Sequence, residues 1–101
     1  NKDAMKELDK VVDLMTKYPE MIIESGSHTD SRGIIGYNTW LSTRRASSTV
    51  NYILDKGVDS SRITGKGYGE SQLINGCSDG VECTEAQHAM NRRTEFVIIK
   101  M

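Results

Sequence analysis

The sequence predicts an α/β (α+β) domain: a mixed β-sheet that contains a βαβ unit and is covered by helices. Three stretches carry that prediction: the run MIIES at 21–25, a long amphipathic segment from about Tyr37 to Lys56, and the extended stretch SRITGKGYG, whose strand begins near Arg62. Strand, helix and strand in that order make a parallel pair joined by a right-handed crossover. TEFVIIK at 94–100 adds the clearest strand of the chain. An antiparallel α+β arrangement of the same elements is the alternative.

The elements follow from periodicity. Met5, Leu8, Val12 and Met15, supported by Ala4 and Val11, recur at steps of three and four and put one apolar stripe on a helix ending at about Lys17. Tyr18-Pro19 stops it, because the residue before a proline is pushed out of the helical region. SHTDSRG, after the first strand, has loop chemistry closed by Gly33. In the second helix, at 100° per residue, Ala46, Val50, Ile53 and Leu54 fall in one sector, which must face the core. Asn38, Ser42, Arg45 and Thr49 form a polar strip along one flank, while Arg44 lies nearly opposite the core with Ser48, Asn51 and Asp55. The helix ends at Gly57. Three glycines make the second strand weak on propensity alone. With no repeat, low-complexity tract or linker, residues 1–101 read as one domain.

Charge and cysteine content exclude whole classes of function. Thirteen Lys plus Arg against fourteen Asp plus Glu leave a net charge of −1, so no global field draws in nucleic acid or an anionic membrane. The longest apolar run is FVII at 96–99, far too short to span or insert into a bilayer. The chain starts almost inside a helix and reads as the N-terminally truncated fragment of a longer protein. Cys77 and Cys83 enclose SDGVE. Structural zinc wants four ligands, and only His28 and His88 are left to complete a set. A disulfide fits better, because Asp79-Gly80 supplies a tight turn between the two cysteines, and it implies an oxidising compartment such as a bacterial periplasm. No metal or cofactor is expected.

The chemistry-bearing residues concentrate in SHTDSRGIIGYNTWLSTRRA at 27–46. Ser42, His28 and Asp30 have the composition of a catalytic triad. The context is poor, since Ser42 lies inside a helix and no nucleophile elbow is present. GKGYGE lacks the spacing of a phosphate loop. On chemistry alone Asp30 reads first as an Asx-turn residue or cap, and Arg45 as a guanidinium laid along a helix flank. Tyr37 and Trp40 read as packing or rim residues, and Arg92-Arg93 as an exposed edge device.

HTDSRG, YNTWLSTRRASSTV (Tyr37 to Val50), YILDKGVDSSRITGKGYGE (Tyr52 to Glu70) and NRRTEF (Asn91 to Phe96) together resemble, in order and spacing, the OmpA-like peptidoglycan-binding domain shared with the Pal lipoproteins and MotB stator proteins. The resemblance implies a mixed sheet with helices on one side. It also implies a non-enzymatic function: non-covalent binding of the diaminopimelate-containing peptide stem of peptidoglycan, which tethers an outer-membrane protein or lipoprotein to the wall from the periplasm. Carried across, it assigns Asp30 and Arg45 to the ammonium and carboxylate of diaminopimelate, Asn38 and Thr29 to positions near the pocket, Leu41 to its wall and Arg93 to its rim. The stretch between Cys77 and Arg93 resembles a subgroup with a disulfide in this loop. Three departures stand out: the family's first strand is missing from this chain, Ser27 replaces a frequent glycine, and Leu73 stands near a frequent proline. A sheet short by one strand, or an edge filled by a neighbouring molecule, is then expected. Two other functions compete: a small envelope hydrolase, and a periplasmic protein–protein adaptor working through its sheet edge.

Overall fold

The computed structural model describes residues 2–101. Helix α1 (Lys2–Lys17) leads to strand β1 (Ile22–His28) and helix α2 (Ile35–Asp55). A 3-10 turn (Ser60–Arg62) enters β2 (Ile63–Gly69), and the short helix α3 (Glu85–Ala89) precedes β3 (Arg93–Lys100). The sheet order is β2-β1-β3. β1 runs parallel to β2, with Ile23 opposite Ile63, and antiparallel to β3, with Ser25 opposite Phe96. The sheet is therefore mixed and the βαβ unit is present, which disposes of the all-antiparallel alternative.

Met15, Met21, Ile23, Ile53, Val58 and Ile63 form the buried core, and Val11, Val12, Val50, Leu54 and Phe96 pack around it. Burying a side chain such as Ile53, fully enclosed here, contributes about 1.5–3 kcal/mol. Of the sector predicted for α2, Ala46 and Ile53 are buried and Val50 and Leu54 half-buried, and burial extends to Asn38 and Ser42 of the polar flank.

The glycines that weaken β2 on propensity prove to be what fits it to α2. A Cβ on Gly67 would lie 2.2 Å from the Thr43 backbone nitrogen, and one on Gly65 would lie 2.9 Å from Val50 Cγ2. Only a strand without side chains on that face lets the helix come so close. Ser42 reinforces the contact, its Oγ accepting a hydrogen bond from the Gly69 amide at 2.9 Å.

Three features depart from the sequence reading. β1 continues through Ser27 and His28, assigned above to a loop, because Ser27 is paired on both sides, with Gly67 of β2 and Thr94 of β3. α2 begins two residues early, at Ile35, without a side-chain cap. α3 was not anticipated, although Thr84 and Gln87 form a reciprocal capping box whose T-x-x-Q spacing is visible in the sequence. Arg62 also acquires a role, donating to the carbonyls of Met15 at 2.7 Å, Tyr18 at 2.8 Å and Met21 at 3.1 Å, and so satisfying the end of α1 from another element.

The anticipated disulfide is present: Cys77 and Cys83 are bonded with Cα atoms 6.0 Å apart, and Gly80 in the enclosed turn has φ 83°. Among the described residues the sheet has three strands, with β3 on one edge, where Val97, Ile98 and Ile99 are about half exposed. No described helix is long and apolar enough to cross a membrane.

Candidate functional site

The loop that leaves β1 is anchored at its first residue, where the Thr29 amide donates to the Gly69 carbonyl at 2.9 Å. Asp30 follows and is 6% exposed. Its Oδ1 accepts the Arg32 amide at 2.9 Å, closing an Asx-turn. Its Oδ2 accepts Arg32 Nη2 at 2.9 Å and Arg92 Nη1 at 2.7 Å. Glu85, on α3, joins the same two guanidiniums, at 2.9 Å to Arg32 and 2.5 Å to Arg92. Burial alone would raise the Asp30 pKa. The hydrogen bonds from the Arg32 and Arg92 side chains and the Arg32 amide outweigh it and hold the carboxyl well below the usual carboxylate range.

Asn38 and Thr29 are both buried and act on this loop from beneath. Asn38 Nδ2 donates to the Arg32 carbonyl at 3.0 Å, with the Asp30 carbonyl and Glu70 Oε1 both at 3.4 Å. Thr29 Oγ1 donates to the Asp30 carbonyl at 3.0 Å. Ser31 Oγ donates to the Cys77 carbonyl at 2.6 Å, so the disulfide loop is tied to the same segment.

Two depressions meet beside this network, and Arg45 and Thr94 border both. The larger, about 620 Å³, runs along α2 past Tyr37, Trp40, Leu41 and Arg44. The smaller, about 160 Å³, is bounded by Ser27, His28, Arg45, Arg92, Arg93 and Thr94. Of its three guanidiniums, Arg92 is committed to Asp30 and Glu85. Arg93 is committed to Glu95 at 2.8 Å and to the carbonyls of Gln72 and Asn91 at 2.9 and 3.2 Å. Arg45 is exposed, and no hydrogen bond or ion pair to it is found among the described residues. Arg44 lies over the Trp40 ring at 5.0 Å and borders the larger depression together with Arg45, while only Arg45 also borders the smaller one.

Asp30 is held by Arg32 and Arg92, and Glu85 pairs with both of those guanidiniums; none of the three was singled out as a site residue. The Asp-x-Arg spacing at 30 and 32 was a signal for Arg32. Nothing local signalled Arg92, 62 residues from Asp30, or Glu85. The triad composition also dissolves, because Ser42 Oγ is engaged by the Gly69 amide and the Thr39 carbonyl. His28 stacks on Tyr68 with ring centroids 5.0 Å apart and Nε2 3.6 Å from Glu95. Burial first, then Arg93, lower the His28 pKa against the opposing pull of Glu95.

Comparison with known proteins agrees with this architecture. Outer membrane porin F of Pseudomonas fluorescens is 40% identical over 89 residues, covering 88% of this chain and 26% of the porin. The peptidoglycan-associated lipoprotein of Rhizobium meliloti (strain 1021) is 33% identical over 96 residues, covering 95% of this chain and 52% of the lipoprotein. The chain thus spans about a quarter and about half of these two curated relatives. The crystal structure of the peptidoglycan-associated lipoprotein from Burkholderia pseudomallei shares the fold, with a TM-score of 0.84 at 22% identity over 97% of this chain and 79% of that one. The sequence profile of the OmpA family matches residues 1–87, and the chain belongs to the OmpA family.

Proposed function

We propose that this domain binds peptidoglycan non-covalently through the diaminopimelate of its peptide stem. It thereby anchors an outer-membrane protein or lipoprotein to the cell wall from the periplasmic side. The names of the relatives support the wall as partner, one of them being a peptidoglycan-associated lipoprotein. The observation that carries the finer reading is Arg45: it is the guanidinium of the smaller depression without a carboxylate partner, and Arg92 on the same rim is paired to Asp30, a carboxylate the fold keeps ionised.

Diaminopimelate ends in an ammonium and a carboxylate on one carbon. A planar guanidinium takes the carboxylate in a two-pronged, charge-assisted contact. Asp30 accepts three hydrogen bonds from Arg32 and Arg92, and a carboxylate has room for about four. The ammonium takes the remaining lone pair, or replaces the arm of Arg32, whose side chain is 51% exposed. Asn38 and Thr29 position Asp30 through the loop backbone, Leu41 gives the larger depression an apolar wall, and Arg93 borders the smaller one. The reading needs no cofactor, no nucleic acid and no insertion of this domain into a membrane. It makes the domain a binder and not an enzyme, consistent with a Ser42 hydroxyl engaged by the Gly69 amide and the Thr39 carbonyl.

Calorimetric titration with two stem peptides tests the reading. The diaminopimelate form is expected to bind at least tenfold more tightly than the lysine form, which lacks the carboxylate and leaves Arg45 unpaired; each such charge-assisted contact contributes about 1.5–3 kcal/mol. Equal affinities would place recognition elsewhere. Release of soluble fragments from purified sacculi would instead establish a hydrolase.

A further inference from the structure

The larger depression has a feature that the pairing of Asp30 and Arg45 with diaminopimelate leaves unexplained. Trp40 and Tyr37 are 51% and 55% exposed, a large apolar area for a helix whose core-facing residues lie on another side. Their ring centroids are 5.7 Å apart with planes inclined by 36°, and the Arg44 guanidinium lies 5.0 Å from the Trp40 centroid. The two rings therefore form a shared, half-open aromatic surface at the rim, not a buried packing contact. Hydroxyls of Ser48, Thr49 and Thr94 line the same depression, and Arg45 joins it to the smaller one.

Building on the stem-peptide reading, we infer that this aromatic surface is a sugar subsite, which stacks an N-acetylated amino-sugar ring of the glycan strand while Arg45 and Asp30 hold the peptide. A pyranose ring has an apolar C–H face and a hydroxyl edge. Aromatic faces bordered by side-chain hydroxyls complement both, and the neutral ring places no like charge against Arg44 or Arg45. Continuity favours the sugar over an unrelated protein surface. A stem peptide held at Arg45 is covalently joined to a sugar a few residues away, and an extended chain covers only about 3.3–3.6 Å per residue. The sugar must therefore lie close to the peptide site, and the aromatic depression adjoins it.

Trp40 is the chain's one tryptophan, so its fluorescence reports the site without labelling. Two probes separate the parts: a disaccharide-bearing muropeptide, and the same stem peptide freed of its sugars. The muropeptide is expected to shift Trp40 emission and the free peptide to leave it nearly unchanged. Trp40→Ala should weaken muropeptide binding about five- to tenfold, as loss of an aromatic stacking contact implies, and leave free-peptide affinity within about twofold. Trp40→Phe should retain most of the muropeptide affinity, and Tyr37→Ala should lose less than Trp40→Ala. An unchanged melting temperature in each variant checks that the fold is intact. Muropeptide affinity unaffected by Trp40→Ala, with the free peptide still bound, overturns the sugar subsite alone. Equal loss on both ligands overturns it too. Binding of muropeptide but not of free peptide, with loss in Trp40→Ala, overturns the stem-peptide reading and leaves the sugar subsite standing.

Discussion

Asp30 is 6% exposed and accepts three hydrogen bonds from its own chain, whereas Arg45, which borders the smaller depression with Asp30's partner Arg92, is exposed and has no such partner among the described residues. The acid is placed and kept charged by the chain's own groups. The base is held only by its helix, and its side chain must be ordered when a ligand binds. A rigid, partly occupied acid favours discrimination, because an incoming ammonium has to fit lone pairs already aimed by Arg32 and Arg92. A free guanidinium keeps its full donor set for the ligand carboxylate and loses rotamer entropy on binding.

The strongest way to break the contrast is to remove its support. Gly67→Ala drives a Cβ into the backbone of Thr43, separating α2, and with it Arg45, from the sheet. We expect a loss of more than about 3 kcal/mol in a denaturant titration. Gly36→Ala, where an added Cβ meets nothing within 4 Å, should be neutral or slightly stabilising.

Asp30→Asn tests the rigid side. It keeps the shape but takes the charge from two guanidiniums, so stem-peptide binding should fall at least tenfold, with about 1–3 kcal/mol lost in stability. The pH dependence follows from the lowered pKa. A carboxyl depressed in the folded state contributes stability that is fully present above its unfolded value, about 3.9, and is lost as pH falls through the folded one. The wild type should therefore weaken progressively below about pH 4, and in Asp30→Asn that part of the acid sensitivity should disappear from the pH profile of the melting temperature.

Arg45→Ala tests the free side and should separate binding from stability. Binding to sacculi should drop below detection while the melting point barely moves, since an exposed side chain outside any network contributes within about 0.5 kcal/mol. Arg44→Ala, one residue away and bordering only the larger depression, should keep stem-peptide affinity. Equal losses in the two variants would overturn the assignment of the ligand carboxylate to Arg45.

The mildest perturbation is reduction of Cys77–Cys83. So short a closed loop constrains the unfolded chain by about 2 kcal/mol in the chain-entropy account, so melting should shift down with folding retained. The Ser31–Cys77 hydrogen bond carries the change to the Asp30 loop, and stem-peptide affinity should fall by less than about tenfold.

Much of this was legible in the sequence because it depends on neighbours along the chain. The stripe of α1, the buried sector of α2 and the strand TEFVIIK are periodicities set by one turn or one pleat. The separation of Arg44 from Arg45 is helical geometry, and the Cys77–Cys83 bridge is a short-range closure over a tight turn. The motifs at Asp30, Asn38 and Arg45 also identified the family. Tertiary structure decided what depends on distant segments meeting. Gly65 and Gly67 looked like defects in a strand until α2 was seen resting on them, and Arg62 caps a helix more than forty residues earlier. The same holds for Asp30. Its Asx-turn with Arg32 is local, but Arg92 reaches it, and Glu85 reaches the two arginines, only because the disulfide loop and α3 bring them back across the end of the sheet, and no repeat of two or 3.6 residues encodes where a loop delivers a charge.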